Sequence, residues 1–147
     1  MKNTHFLIAK QGSDVRKSFL GAFIAAVDGS KSTTLREFYD HVAAAMHFEE
    51  EPVANLEVLD QMLNDLEWIK EQKVIIFIDH SAEWLSKEKS EDKILSIIDV
   101  LDATAEDWKW LDEEEGVTKK DLQIIFQDSE RIRGFLEDQE IPFGELE

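Results

Sequence analysis

The segment Lys73-Val-Ile-Ile-Phe-Ile-Asp79 holds five consecutive apolar residues between two charged ones. A strand with one wet face alternates apolar and polar side chains, and this one does not. The run over residues 74–78 therefore reads as a strand covered on both faces, which requires helices packed over a sheet. Residues 6–9 and 22–27 are further apolar runs of strand length, and residues 122–126 read as a last strand interrupted only by Gln123. The first is closed by Gln11-Gly12 and the second by Asp28-Gly29, both turn signals.

Helical spacing fills the intervals. Ser13 is placed to cap a short helix over 13–20, broken by Gly21. Thr33 or Thr34 is placed to cap a helix over 35–47, with Leu35, Phe38, Tyr39, Val42, Ala45 and Met46 on one face. Pro52 makes continuation of that helix improbable. Residues 55–68 form the next helix, with Leu56, Leu59, Leu63 and Leu66 as its apolar stripe. Glu57, Asp60, Gln61 and Asn64 lie on the other side. Ser90 caps the longest helix, whose core face is Ile94, Ile97, Ile98, Leu101, Ala105 and Trp108, and Gly116 ends it. Ser129 starts a last short helix through about residue 138, and the tail from Ile141 is expected to be loose. The order is β-α-β-α-α-β-α-β-α. It predicts an α/β fold with a mostly parallel, three- to four-stranded sheet packed with helices. The length of 147 residues, 43% of them hydrophobic, suits one domain with a substantial core.

Charge narrows the function. The formal net charge is −17, far beyond the magnitude of roughly 2–8 that a small domain needs for solubility. Seven acids and no Lys or Arg fall between Glu49 and Trp68. Between Asp99 and Glu115 there are eight acids and a single base, Lys109. Clustered acids on rigid elements suit a basic partner, and they repel the phosphates of nucleic acid. No apolar run approaches a membrane span, and no secretory leader is visible, so a cytoplasmic location without membrane attachment is expected. The absence of Cys is compatible with that compartment.

Sites for chemistry are sparse. The glycines are scattered singly, with no phosphate-cradling loop. His5, His41, His47 and His80 show no metal-ligand spacing, so no cofactor or metal is expected. Glu113-Glu114-Glu115 reads as a solvated helix end. Asp79-His80 sits at the carboxyl end of a buried strand, where open α/β sheets place ligands. A hydrogen-bonded loop residue is the commoner use of such a His, and an acidic enzyme built on Asp79 and His80 is the weakest of three readings. Ser81 lacks the Gly-flanked elbow of a nucleophile. Trp108 belongs to the core stripe, and Trp68 is expected to pack beneath the strand that follows it. Trp84 and Trp110 are candidate interface anchors.

The segment Thr33-Thr-Leu-Arg-Glu-Phe-Tyr39, the later run Asn55, Leu56, Glu57, Leu59, Asp60, Leu63, Asp65, Leu66 and Trp68, and the strand after it resemble the barstar family of ribonuclease inhibitors. The resemblance covers about residues 22–127. The first strand and helix look like the N-terminal extension of longer members. It implies a non-enzymatic inhibitor or immunity protein, of a bacterial toxin–antitoxin type, that binds a basic nuclease in a one-to-one complex and occludes its active site. By position, the implied contact face is Glu51, Asn55, Glu57, Asp60, Gln61 and Asn64, flanked by Asp112 or Glu115. Two departures stand out. Glu50-Glu51-Pro52-Val53-Ala54 replaces the family's aromatic and Gly residues before the Asn, and Gln61 stands where its central inhibitory acid falls. Asp60 is adjacent but points about 100° away around the helix. These departures motivate the alternative of a regulatory or interaction module that inhibits no nuclease.

Overall fold

The computed structural model describes residues 5–46, 56–63, 69–88, 90–110 and 120–146. Five strands form one sheet: β1 (Phe6–Ala9), β2 (Phe23–Asp28), β3 (Lys73–Asp79), β4 (Asp121–Gln127) and β5 (Gly144–Glu145), in the order β2-β3-β4-β1-β5. Every neighbouring pair is parallel. The helices are α1 (Gly12–Ser18), α2 (Leu35–Ala45), α3 (Leu56–Leu63), α4 (Glu91–Trp110) and α5 (Glu130–Asp138), with a 3-10 turn at Gly29–Lys31.

The pleat divides the core in two. Phe6, Ile8, Ala25, Val27, Val74, Ile76, Ile78, Leu122, Ile124 and Phe126 face the larger core, with the apolar sides of α2 to α5. Ala9, Ile75, Phe77 and Ile125 point the other way, where Val15 of α1 packs on them. The fully apolar β3 is thus covered on both faces, as a non-alternating strand must be. The expected core face of α4, from Ile94 to Trp108, is buried throughout.

Local chemistry sets the helix starts. Thr34 is the N-cap of α2, its hydroxyl accepting from the Glu37 amide at 3.2 Å. Glu37 reaches back to accept from the Thr33 amide at 3.0 Å and its hydroxyl at 2.6 Å, a shared form of the capping box. Ser129 caps α5 as expected. Ser13 does not cap α1: the helix already begins at Gly12, with Gln11 at the N-cap position. Gly12 lies against Phe77, where a Cβ would sit 3.2 Å from the ring.

Two expectations about the sheet are corrected together. Among the described residues the strands number five, and the tail from Ile141 is docked. Ile141 and Phe143 pack on the larger core, and the Leu146 amide donates to the Ile8 carbonyl at 2.8 Å. Arg133 on α5 clamps the tail, donating to Asp128 Oδ1 at 2.6 Å and Oδ2 at 3.2 Å, and also to Glu145. The hydrogen bond from Arg133 holds the Asp128 carboxyl below its usual range. A depressed carboxyl stabilises the fold above its unfolded pKa, about 3.9, and that contribution is lost as pH falls through the folded value. Below about pH 4 the clamp loosens first at β5. Hydrogen exchange at the Leu146 amide, corrected for intrinsic rate, should accelerate between pH 6 and pH 3 more than exchange at Ile75. Equal acceleration at both sites would refute this.

Candidate functional site

Leu59 and Leu63 are buried, and Leu56 packs partly buried on the same core, which fixes α3 against α4 by its leucine side. Two hydrogen bonds lock the pair. Trp108 Nε1 donates to the Leu63 carbonyl at 2.8 Å, and Thr104 Oγ1 donates to Asp60 Oδ1 at 3.0 Å. The first ties the indole of α4 to the backbone of α3. The second turns Asp60 toward α4.

Glu57 and Gln61 are exposed, one turn apart, while Asp60 is half-buried beside Thr104. Among the described residues, the outward face of α3 therefore carries one acid and one amide, and the second acid sits at its flank, held by a fully buried hydroxyl. Glu51, Asn55, Asn64, Asp112 and Glu115 lie outside the described residues, as do Trp68 and the side chain of Trp110. On α4, Asp99, Asp102 and Asp107 are exposed, and Glu106 pairs with His5 at 2.5 Å.

Trp84 is core, not an interface anchor. It is fully buried, edge-on to Phe38 at 5.5 Å and tilted on Phe126 at 5.1 Å. Arg131 donates to the carbonyls of Ser81 and Trp84 and holds that turn in place. Ser81 is equally buried, donating to the Gln127 carbonyl and lying 2.8 Å from Ser129 Oγ. Its hydroxyl ties β3 to β4 and is not displayed for attack.

The carboxyl end of the sheet gathers a group that the spacing along the chain does not show. Asp28 and Asp79 end adjacent strands in direct register. His80 follows with φ +46°, and its Nδ1 lies 2.9 Å from Asp79 Oδ1 and 3.4 Å from Asp28 Oδ1. Backbone and hydroxyl donors aim the carboxylates: Gly29 N to Asp79 Oδ1 at 3.1 Å, and Ser30 N and Oγ to Asp28 Oδ1 at 2.9 and 2.6 Å. The His80 amide donates to Gln127 Oε1 at 2.8 Å. The hydrogen bond to Asp79 and its charge push the His80 imidazole above its ordinary pKa. The Ser30 hydroxyl holds Asp28 below the usual carboxylate range. Asp28 was legible only as half of a turn dipeptide. The signal that would have found it is that both apolar strands end in Asp.

Comparison with known proteins bears on the fold and the family. A family model described as Barstar (barnase inhibitor) matches residues 22–127, a span that contains α2, α3, β3, α4 and β4. No match was found among curated proteins. Among solved structures, the ORC2 protein of Aeropyrum pernix, determined as ADPNP-ADP complexes, is similar with a TM-score of 0.58 at 10% identity. That alignment covers 99% of this chain and 42% of the other. At such identity the likeness is one of fold.

Proposed function

This chain belongs to the barstar family, and from that premise we propose that it is a protein inhibitor of a basic nuclease. It binds its target one to one through α3 and the segment before it, and closes the target's active site without chemistry of its own. The observation that carries this reading is Glu57, exposed on α3 inside the family match, within a stretch from Glu49 to Trp68 that has seven acids and no base. Leu59, Leu63 and the two bonds from α4 hold that helix rigid, so little conformational freedom is lost on association. The unmixed charge speeds encounter by electrostatic steering, an effect of about 10- to 10³-fold that salt removes. We place the protein in the cytoplasm of a bacterial cell, as the immunity partner of a secreted toxin. Among the described residues no helix is long and apolar enough to cross a membrane.

The direct test is inhibition of a panel of basic ribonucleases at low and high salt. Inhibition should weaken as ionic strength rises. Glu57→Gln with Asp60→Asn should slow association about 10-fold. Asn at 60 keeps an acceptor for Thr104, so the change reads charge and not packing. Full inhibition by the double variant would remove α3 from the interface.

A second reading rests on Gln61 and on the engagement of Asp60 by Thr104, which leave Glu57 as the one acid on the outward face of the described part of α3. In that reading the fold is an interaction module that inhibits no nuclease. Absence of inhibition across the panel, with the protein folded, would favour it.

A further inference from the structure

The geometry points to a divalent-cation site at the carboxyl end of β2 and β3, with Asp28, Asp79 and His80 as its ligands. It is independent of the inhibitor reading, since none of the three lies on α3.

One ligand atom from each residue lies within 4.8 Å of the other two. The ring nitrogen is 2.9 Å from one carboxylate oxygen and 3.4 Å from the other. An ion at about 2.1 Å from each ligand separates adjacent ligands by about 3.0 Å in an octahedron and about 3.4 Å in a tetrahedron. Both distances from the ring nitrogen match the spacing of adjacent ligands around one ion, and the two carboxylates come from paired strand ends within reach of it.

Their supports are rigid. Asp28 and Asp79 are strand ends locked in register, and the amides of Gly29 and Ser30 orient them as outer-shell donors orient metal ligands. The His80 amide is fixed by Gln127 from the next strand. All three residues retain access to solvent, so an ion has an entry path and water can complete its shell. The ion takes the place of the Nδ1 proton. Two carboxylates and one imidazole suit a first-row cation such as Mn2+ or Zn2+ better than Ca2+, which prefers an all-oxygen shell.

Manganese chloride and zinc chloride, each added alone to the full-length, chelator-treated protein, test the site. Calorimetry should show one ion bound per chain ahead of weaker association with the many surface acids. Asp28→Asn, Asp79→Asn and His80→Asn should each weaken that step at least about 10-fold. Asn suits position 80 because it tolerates positive φ. Asp99→Asn on α4 should leave it unchanged. Should a variant fail to fold, paramagnetic broadening by Mn2+ in the unaltered protein gives the answer: the amides of Ser30 and His80 broaden first. Binding no tighter than in the triple-Asn variant, or broadening that begins on α4, would overturn the proposal.

Discussion

Trp84→Ala should lower the unfolding free energy by about 3–5 kcal/mol, the range for emptying a fully buried large aromatic site. Trp84 is the middle of a ring chain: Phe38 of α2 meets its edge, Phe126 of β4 lies against it, and Phe6 of β1 stacks on Phe126 at 6.2 Å. Removing it opens a void between α2 and β4, and β4 cannot close it without breaking its pairing with β3 and β1. Trp84→Phe should cost less than half as much. Phe keeps most of the ring contact, and it removes an indole N–H that is buried with no hydrogen-bond partner among the described residues. An unsatisfied buried donor costs about 1–3 kcal/mol, and losing it offsets part of the lost packing. Urea denaturation of the three proteins checks both statements. A cost below about 1 kcal/mol for the Ala variant would mean that the turn carrying Trp84 is not part of the core.

The same substitution at two glycines should have opposite signs. Gly29 follows β2 directly, and a Cβ there would lie 2.2 Å from the Asp79 carbonyl oxygen and 2.6 Å from that of His80. Both obstacles are backbone, so no rotamer change relieves them. Gly29→Ala should cost about 3 kcal/mol, the upper end of the overpacking range, and should separate the ends of β2 and β3. Gly134, inside α5, has nothing within 4 Å of its Cβ position. Gly134→Ala should stabilise the protein by about 0.5–1 kcal/mol, because Ala gives up less chain freedom on forming a helix. Thermal melts of both variants decide the matter, and destabilisation by Gly134→Ala would contradict the environment described for α5.

The acidic helix shows how far spacing reaches. Leucine periodicity placed Leu59 and Leu63 in the core, and it put Glu57, Asp60 and Gln61 on the far side. Periodicity resolves two sides of a helix, whereas a flank belongs to whatever packs beside it. Asp60 lies on that flank, and its partner Thr104 is 44 residues away. Trp84 failed for a related reason. It falls in a non-helical turn with no period to read, so its burial depends on the turn folding back over Phe38 and Phe126.

The elements themselves were set locally. The unbroken apolar run of β3 specifies a strand covered on both faces, and the capping residues Thr34 and Ser129 specify where helices start, because each of those effects acts within a few residues. The sequence alone therefore determined an α/β chain of parallel strands and the acidic character of α3. Tertiary structure decided the rest. It put β1 between β4 and β5, docked a tail with little strand character through Ile141, Phe143 and Arg133, and brought Asp28 to Asp79 and His80. These are contacts between residues far apart in the chain. No local preference encodes them, and they form only when the buried faces of the sheet find a common register.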